Sequence, residues 1–71
     1  MNQQERDAQE TKDQSEILGL AKNKNFRVRS LVAFNPKTPT NVLEELLEDE
    51  NQNVKQAAKD NLAKRGVTIK A

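Results

Sequence analysis

Side chains able to do covalent or acid–base chemistry are scarce in this chain, and the scarcity narrows what it does. There is no cysteine, histidine, tyrosine or tryptophan. The hydroxyls are Thr11, Ser15, Ser30, Thr38, Thr40 and Thr68, and none stands at a recognisable spacing from a base. Without imidazole or thiolate, the commonest general base near neutral pH and the commonest ligands of transition metals are missing. Glu44, Glu45, Glu48 and Asp49 form a carboxylate run. That run lacks the glycine and the alternating oxygen ligands of a calcium loop, so it reads as a solvated helix face. The sequence therefore predicts no catalytic residue, no metal site and no cofactor, and no enzyme activity.

What remains is charge, and it is segregated. Lys22, Lys24, Arg27, Arg29 and Lys37 follow one another with no acid between them. Glu44, Glu45, Glu48, Asp49 and Glu50 follow with no base between them, and beyond residue 54 only Asp60 interrupts the basic residues. The totals nearly cancel, 12 Lys+Arg against 11 Asp+Glu, so bulk charge gives no reason to expect nucleic acid. The plainest reading is a set of surface ion pairs between the acidic turn and basic helices, each worth about 0–1 kcal/mol. The functional reading is a basic stripe of Lys22, Lys24, Arg27, Arg29 and Lys55 that binds an acidic protein or phosphates. Phe26 and Phe34 are the only aromatic residues, too few for a run of base-stacking platforms. They are expected in the core or at its edge, with an exposed anchor for a partner as the alternative.

The elements that must position these residues repeat. Ile17, Leu20 and Ala21 recur 26 positions on as Leu43, Leu46 and Leu47; Val28, Leu31 and Val32 recur as Val54, Ala57 and Ala58. Asn25 matches Asn51, Asn35 matches Asn61, and Arg29 matches Lys55. Apolar positions at i, i+3 and i+4 mark helix faces, and a fixed period of this length marks a stacked repeat. The spacing predicts helices over about 12–22, 26–34, 38–48 and 52–65. Thr11 or Ser15 starts the first, Asn25 caps the second, and Thr38 with Pro39 starts the third. Gly66 ends the fourth in a left-handed conformation. Gly19 inside the first helix reads as close packing or simple tolerance, weakening the helix by up to about 1 kcal/mol. Residues 1–10 hold almost nothing apolar and are expected as a disordered polar tail. Residues 11–66 form the repeat domain, in two repeats of about 12–37 and 38–63. Residues 67–71 form a short tail whose Val67 and Ile69 could fold back.

Val28-Arg29-Ser30-Leu31-Val32-Ala33-Phe34-Asn35-Pro36-Lys37-Thr38-Pro39 resembles the signature of the leucine-rich repeat variant family. So do Leu43, Leu46 and Asp49 and the return to Val54-Lys55. The resemblance spans about residues 17–61. It implies a HEAT- and armadillo-like right-handed superhelix of paired helices, one of each pair tight and 3₁₀-like. The second copy departs from the pattern, because Leu62 stands where proline would follow Asn61 and no Thr-Pro comes after it. A founding type of the family carries an iron–sulfur cluster on cysteines ahead of its repeats; with no cysteine here, that cofactor does not carry over.

The expected fold class is thus all-α, a short α-solenoid of two stacked helical hairpins with about four helices. Two repeats are few, since stacked arrays usually need about three for stability. Weak self-association or docking on a partner is therefore expected. The expected function is a small protein-interaction module that binds another protein. Electrostatic nucleic-acid binding is the alternative, and a structural cap of a longer array is a third. No apolar run approaches the roughly 20 residues that span a bilayer, and no secretory signal is visible at the N-terminus, so no membrane role and a cytoplasmic location are expected.

Overall fold

The computed structural model describes residues 3–67, and these are all-helical. In chain order the helices are α1 (Gln3–Glu10), α2 (Gln14–Leu20), α3 (Phe26–Phe34), α4 (Thr40–Leu46) and α5 (Gln52–Lys64). α3 lies between α1 and α5, α2 packs on α1 and α3, and α4 packs on α3 and α5. The principal extents are 34 × 23 × 17 Å. The shortest of them suits two layers of helices.

The period of 26 is visible bond by bond. The Oδ1 of Asn25 accepts from the Arg27 N–H and that of Asn51 from the Asn53 N–H, both at 2.9 Å. Just ahead, the side chain of Asn23 accepts from the Asn25 N–H and that of Asp49 from the Asn51 N–H, both at 2.8 Å. α2 runs out through bonds from Lys22 to Gly19 and from Asn23 to Leu20; α4 runs out through the matching bonds from Glu48 to Glu45 and from Asp49 to Leu46. These i→i−3 bonds tighten the last turn and use carbonyls that an α-helical end leaves open. The apolar triplets fill the space between layers. Ile17, Leu43, Val28, Val54, Val32 and Ala58 are fully buried, and Leu46 and Ala57 nearly so. Leu20, Ala21, Leu31 and Leu47 pack against them from the edge.

Several expectations need correction. There are five helices among the described residues, not about four, because residues 3–10 of the expected disordered tail form α1. Ala8 is fully buried, and the Asn35 Nδ2 donates to the carbonyls of Ala8 (3.1 Å) and Thr11 (2.7 Å). One methyl and two hydrogen bonds to backbone thus dock a segment whose composition shows almost no apolar surface. α2 starts at Gln14, capped by Asp13, whose Oδ1 accepts from the Ser15 and Glu16 N–H groups. Neither Thr11 nor Ser15 is the cap; the Thr11 Oγ1 instead accepts from the Asp13 N–H. Thr38 does not cap α4 either. It is buried, and its hydroxyl donates to the Val32 carbonyl at 2.7 Å, which folds the turn after α3 back on itself.

α5 ends as the sequence predicts. Gly66 has φ 78°, the Gly66 N–H bonds to the Ala63 carbonyl, and the Val67 N–H reaches back to the Leu62 carbonyl. This is the Schellman arrangement, which needs a residue at ease with positive φ. Val67 packs against the core, whereas Ile69 and the rest of the expected C-terminal tail lie outside the described residues.

Gly19 is exposed, and a methyl added there meets no atom within 4 Å. Close packing therefore does not require glycine at this position. Gly19→Ala is expected to stabilise the fold by about 0.5–1 kcal/mol through helix propensity. Urea unfolding followed by circular dichroism measures this, and an unchanged or lowered midpoint would contradict it.

Candidate functional site

α1, α3 and α5 run in the same direction, because asparagine side chains tie their C-terminal ends together. Asn35, just beyond α3, holds the carbonyls at the end of α1. Asn61, in the last part of α5, donates through Nδ2 to the carbonyls of Ala33 (2.8 Å) and Asn35 (3.2 Å). Helix residues with equal repeat numbers therefore lie side by side. Arg27 is level with Asn53, Ser30 with Gln56, Leu31 with Ala57, and Phe34 with Asp60.

Those eight residues, with Phe26 and Glu5, line one groove of about 460 Å³. A second hollow of about 500 Å³ adjoins it and shares Phe34 and Asp60 with it; Pro36, Asn61, Ala63 and Lys64 complete its wall. Phe34 stands between the two. The structure overturns the expectation that the phenylalanines belong to the core or its edge, since Phe26 is 40% exposed and Phe34 57% exposed. Leu18, on α2, is the remaining large apolar residue left exposed among those described. The floor of the groove is Leu31 and Ala57, Arg27 stands at the end where α3 and α5 begin, and Asp60 stands at the other end. The Asp60 carboxylate accepts from the Gln56 Nε2 at 2.9 Å.

The five cationic candidates separate. Lys22 and Lys24 are exposed on the turn between α2 and α3, and Lys55 is half-buried on α5. Of the five, Arg27 alone lines the groove. Arg29 is occupied. Its Nε donates to Asp49 Oδ2 at 2.8 Å and its Nη2 to Asp49 Oδ1 at 3.2 Å, while Nη1 donates to the carbonyls of Asn23 (2.8 Å) and Lys24 (3.1 Å). Both side chains of the pair are about nine-tenths covered, at 12% and 9% exposure. The forked guanidinium thus clamps the acidic turn to the turn before α3, a role its planar donor geometry suits. Among the described residues, Lys55, the repeat partner of Arg29, forms no such ion pair.

Sequence reasoning missed Phe34 and Asp60 as neighbours on one open face. The signal was present in the repeat. The six triplet positions keep their apolar character in both copies, whereas the exposed Phe26 and Phe34 become Gln52 and Asp60. Among the described residues, no group of three or more side chains could hold a metal ion, and no helix is long and apolar enough to cross a membrane. No protein-family model, curated protein or solved structure matches this chain.

Burial raises the Asp49 pKa, but the hydrogen bond from Arg29, the bond from the Asn51 N–H and the guanidinium charge outweigh it. The carboxyl ends below its ordinary 3.8. A carboxylate whose pKa falls on folding stabilises the fold fully above its unfolded value, and that stabilisation fades as pH drops through the folded one. The stability gap between wild type and Asp49→Asn should therefore be constant above about pH 5 and narrow below 3.8. Thermal melts across this range test it; a gap that stays the same under acid would contradict the pairing.

Proposed function

We propose that this chain is a small, non-catalytic protein-interaction module of the leucine-rich repeat variant type, a short HEAT-like α-solenoid fragment. It binds through the groove between α3 and α5, with Phe26 and Phe34 as its anchors. The repeat signature from Val28 to Pro39 supports the architecture, and so do the matched bonds 26 residues apart. The observation that carries the function is the divergence between copies. The six triplet positions stay apolar, but the exposed Phe26 and Phe34 become Gln52 and Asp60. The fold tolerates polar residues there in its second copy. Two exposed aromatics beside a leucine in the first copy, over a groove of about 460 Å³, are not needed to build the repeat. Large rigid aromatic side chains are the residue types that dominate binding energy at protein interfaces.

A groove between two parallel helices suits an amphipathic helix read at i, i+3, i+4 and i+7. Phe26 and Phe34 are eight residues apart, about 12 Å along the axis, which matches two turns of such a ligand. The basic stripe first expected to do the binding is less well supported. Arg29 is neutralised by Asp49, and Arg27 is the one candidate cation in the groove.

The test is a displayed library of helical peptides selected on the full chain. Amphipathic helices with spaced apolar anchors are expected to enrich, and Phe34→Asp, which installs the residue of the second copy, should weaken their binding by about tenfold or more. Peptides that bind Phe34→Asp as tightly as wild type, or saturable binding of a DNA or RNA oligonucleotide that Phe34→Asp leaves intact, would overturn the proposal.

A further inference from the structure

We infer that, without a partner, the groove closes on a second copy of this chain through a twofold interface that sets Arg27 against Asp60 of the partner subunit. This rests on the reading of the groove as the docking face and adds its occupant. The inference starts from the placement of charge. Arg27 stands where α3 and α5 begin, and Asp60 stands about 10 Å along, beside Phe34, near where both helices end. The groove thus carries Arg27 at one end and Asp60 at the other, with the apolar floor of Leu31 and Ala57 between them and Glu5 of α1 on its wall.

A twofold axis lying in the plane of the groove, through its middle and perpendicular to the line from Arg27 to Asp60, turns the second copy face down on the first and exchanges the two ends. Arg27 meets the partner's Asp60, and Asp60 meets the partner's Arg27, so each pair forms twice. An isologous contact requires a patch that is complementary to itself in this way. A foreign helix would have to supply the same pattern, whereas a second copy already has it. Phe26 and Phe34 of each copy enter the partner's groove, and Ser30 and Ala57 near the axis are small enough to let the backbones approach. The chain's net charge of +1 offers little repulsion to association.

Size sets the strength. The groove is lined by ten residues, against the 20–30 a side of a standard stable interface. The dimer is therefore weak and exchanging, and a partner helix displaces it by competing for the same anchors. Sedimentation velocity over a wide concentration series of the full chain tests this. Wild type should pass from monomer toward dimer as concentration rises. Arg27→Asp and Asp60→Arg both change exposed residues and should keep their helical spectra. Each should weaken self-association by about tenfold or more, because each creates two like-charge contacts per dimer. An equimolar mixture of the two variants should associate again, and so should the chain carrying both changes. A wild type that stays monomeric throughout, or a dimer that neither single variant weakens, or single variants that neither mixture nor combination rescues, would overturn the inference. A monomeric chain that still binds the selected helical peptides would leave the docking groove standing. A charge-paired dimer that binds none of them would overturn that reading instead.

Discussion

Two buried asparagine amides hold the rows of this small protein in register. Each sits near the end of one helix and donates to two backbone carbonyls of the previous one, so α5 is fastened to α3 and α3 to α1. A single intramolecular hydrogen bond nets only about 0.5–1.5 kcal/mol, but a buried group left without its partner costs about 1–3 kcal/mol. In a domain with so modest a core, that asymmetry decides how the helices align. The oxygens of the two amides are satisfied differently, because the chain takes a different course after each. After Asn35 the chain turns at Pro36, and the Lys37 N–H bonds to Oδ1 at 2.8 Å. After Asn61 the helix runs on, so no turn N–H is available and the Arg65 Nε takes its place at 3.1 Å. The same guanidinium reaches the Pro36 carbonyl at 3.0 Å, tying the end of α5 to the turn after α3.

Because this alignment sets equal repeat numbers side by side, the chain provides its own internal comparison. The six triplet positions answer to packing and stay apolar in both copies. Arg29, just off that face, answers to the acidic turn, while Lys55 at the matching place forms no ion pair among the described residues. Outward positions answer to neither constraint, and there the copies part. The phenylalanines and Arg27 belong to the first copy, the amides and Asp60 to the second. An apolar groove with opposite charges at its ends follows from that divergence.

Much of the framework was legible in the residues. The bounds of α3 and its cap Asn25 follow from side-chain chemistry local to a few positions, as does the glycine end of α5. The pairing of Arg29 with the acidic turn was readable from charge segregation. Three things were not. α1 was hidden because what docks it, Asn35, lies more than twenty residues away in sequence and bonds to backbone, so residues 3–10 look too polar to fold. Thr-Pro usually starts a helix, so Thr38 reads as a cap, but the turn after α3 takes its hydroxyl instead. Aromatics are usually buried, so Phe26 and Phe34 read as inward-facing. Only the register between α3 and α5 shows that the repeat itself has no use for them there.

The side-chain amide protons of Asn35 and Asn61 test the central claim most directly, through their solvent exchange followed by NMR. Both amides are expected to exchange slowly and to lose protection together with the backbone of α3. Exchange as fast as that of the exposed Asn41 or Asn53 would show that the helices are not fastened through these groups, and the side-by-side register that builds the groove would fall with it.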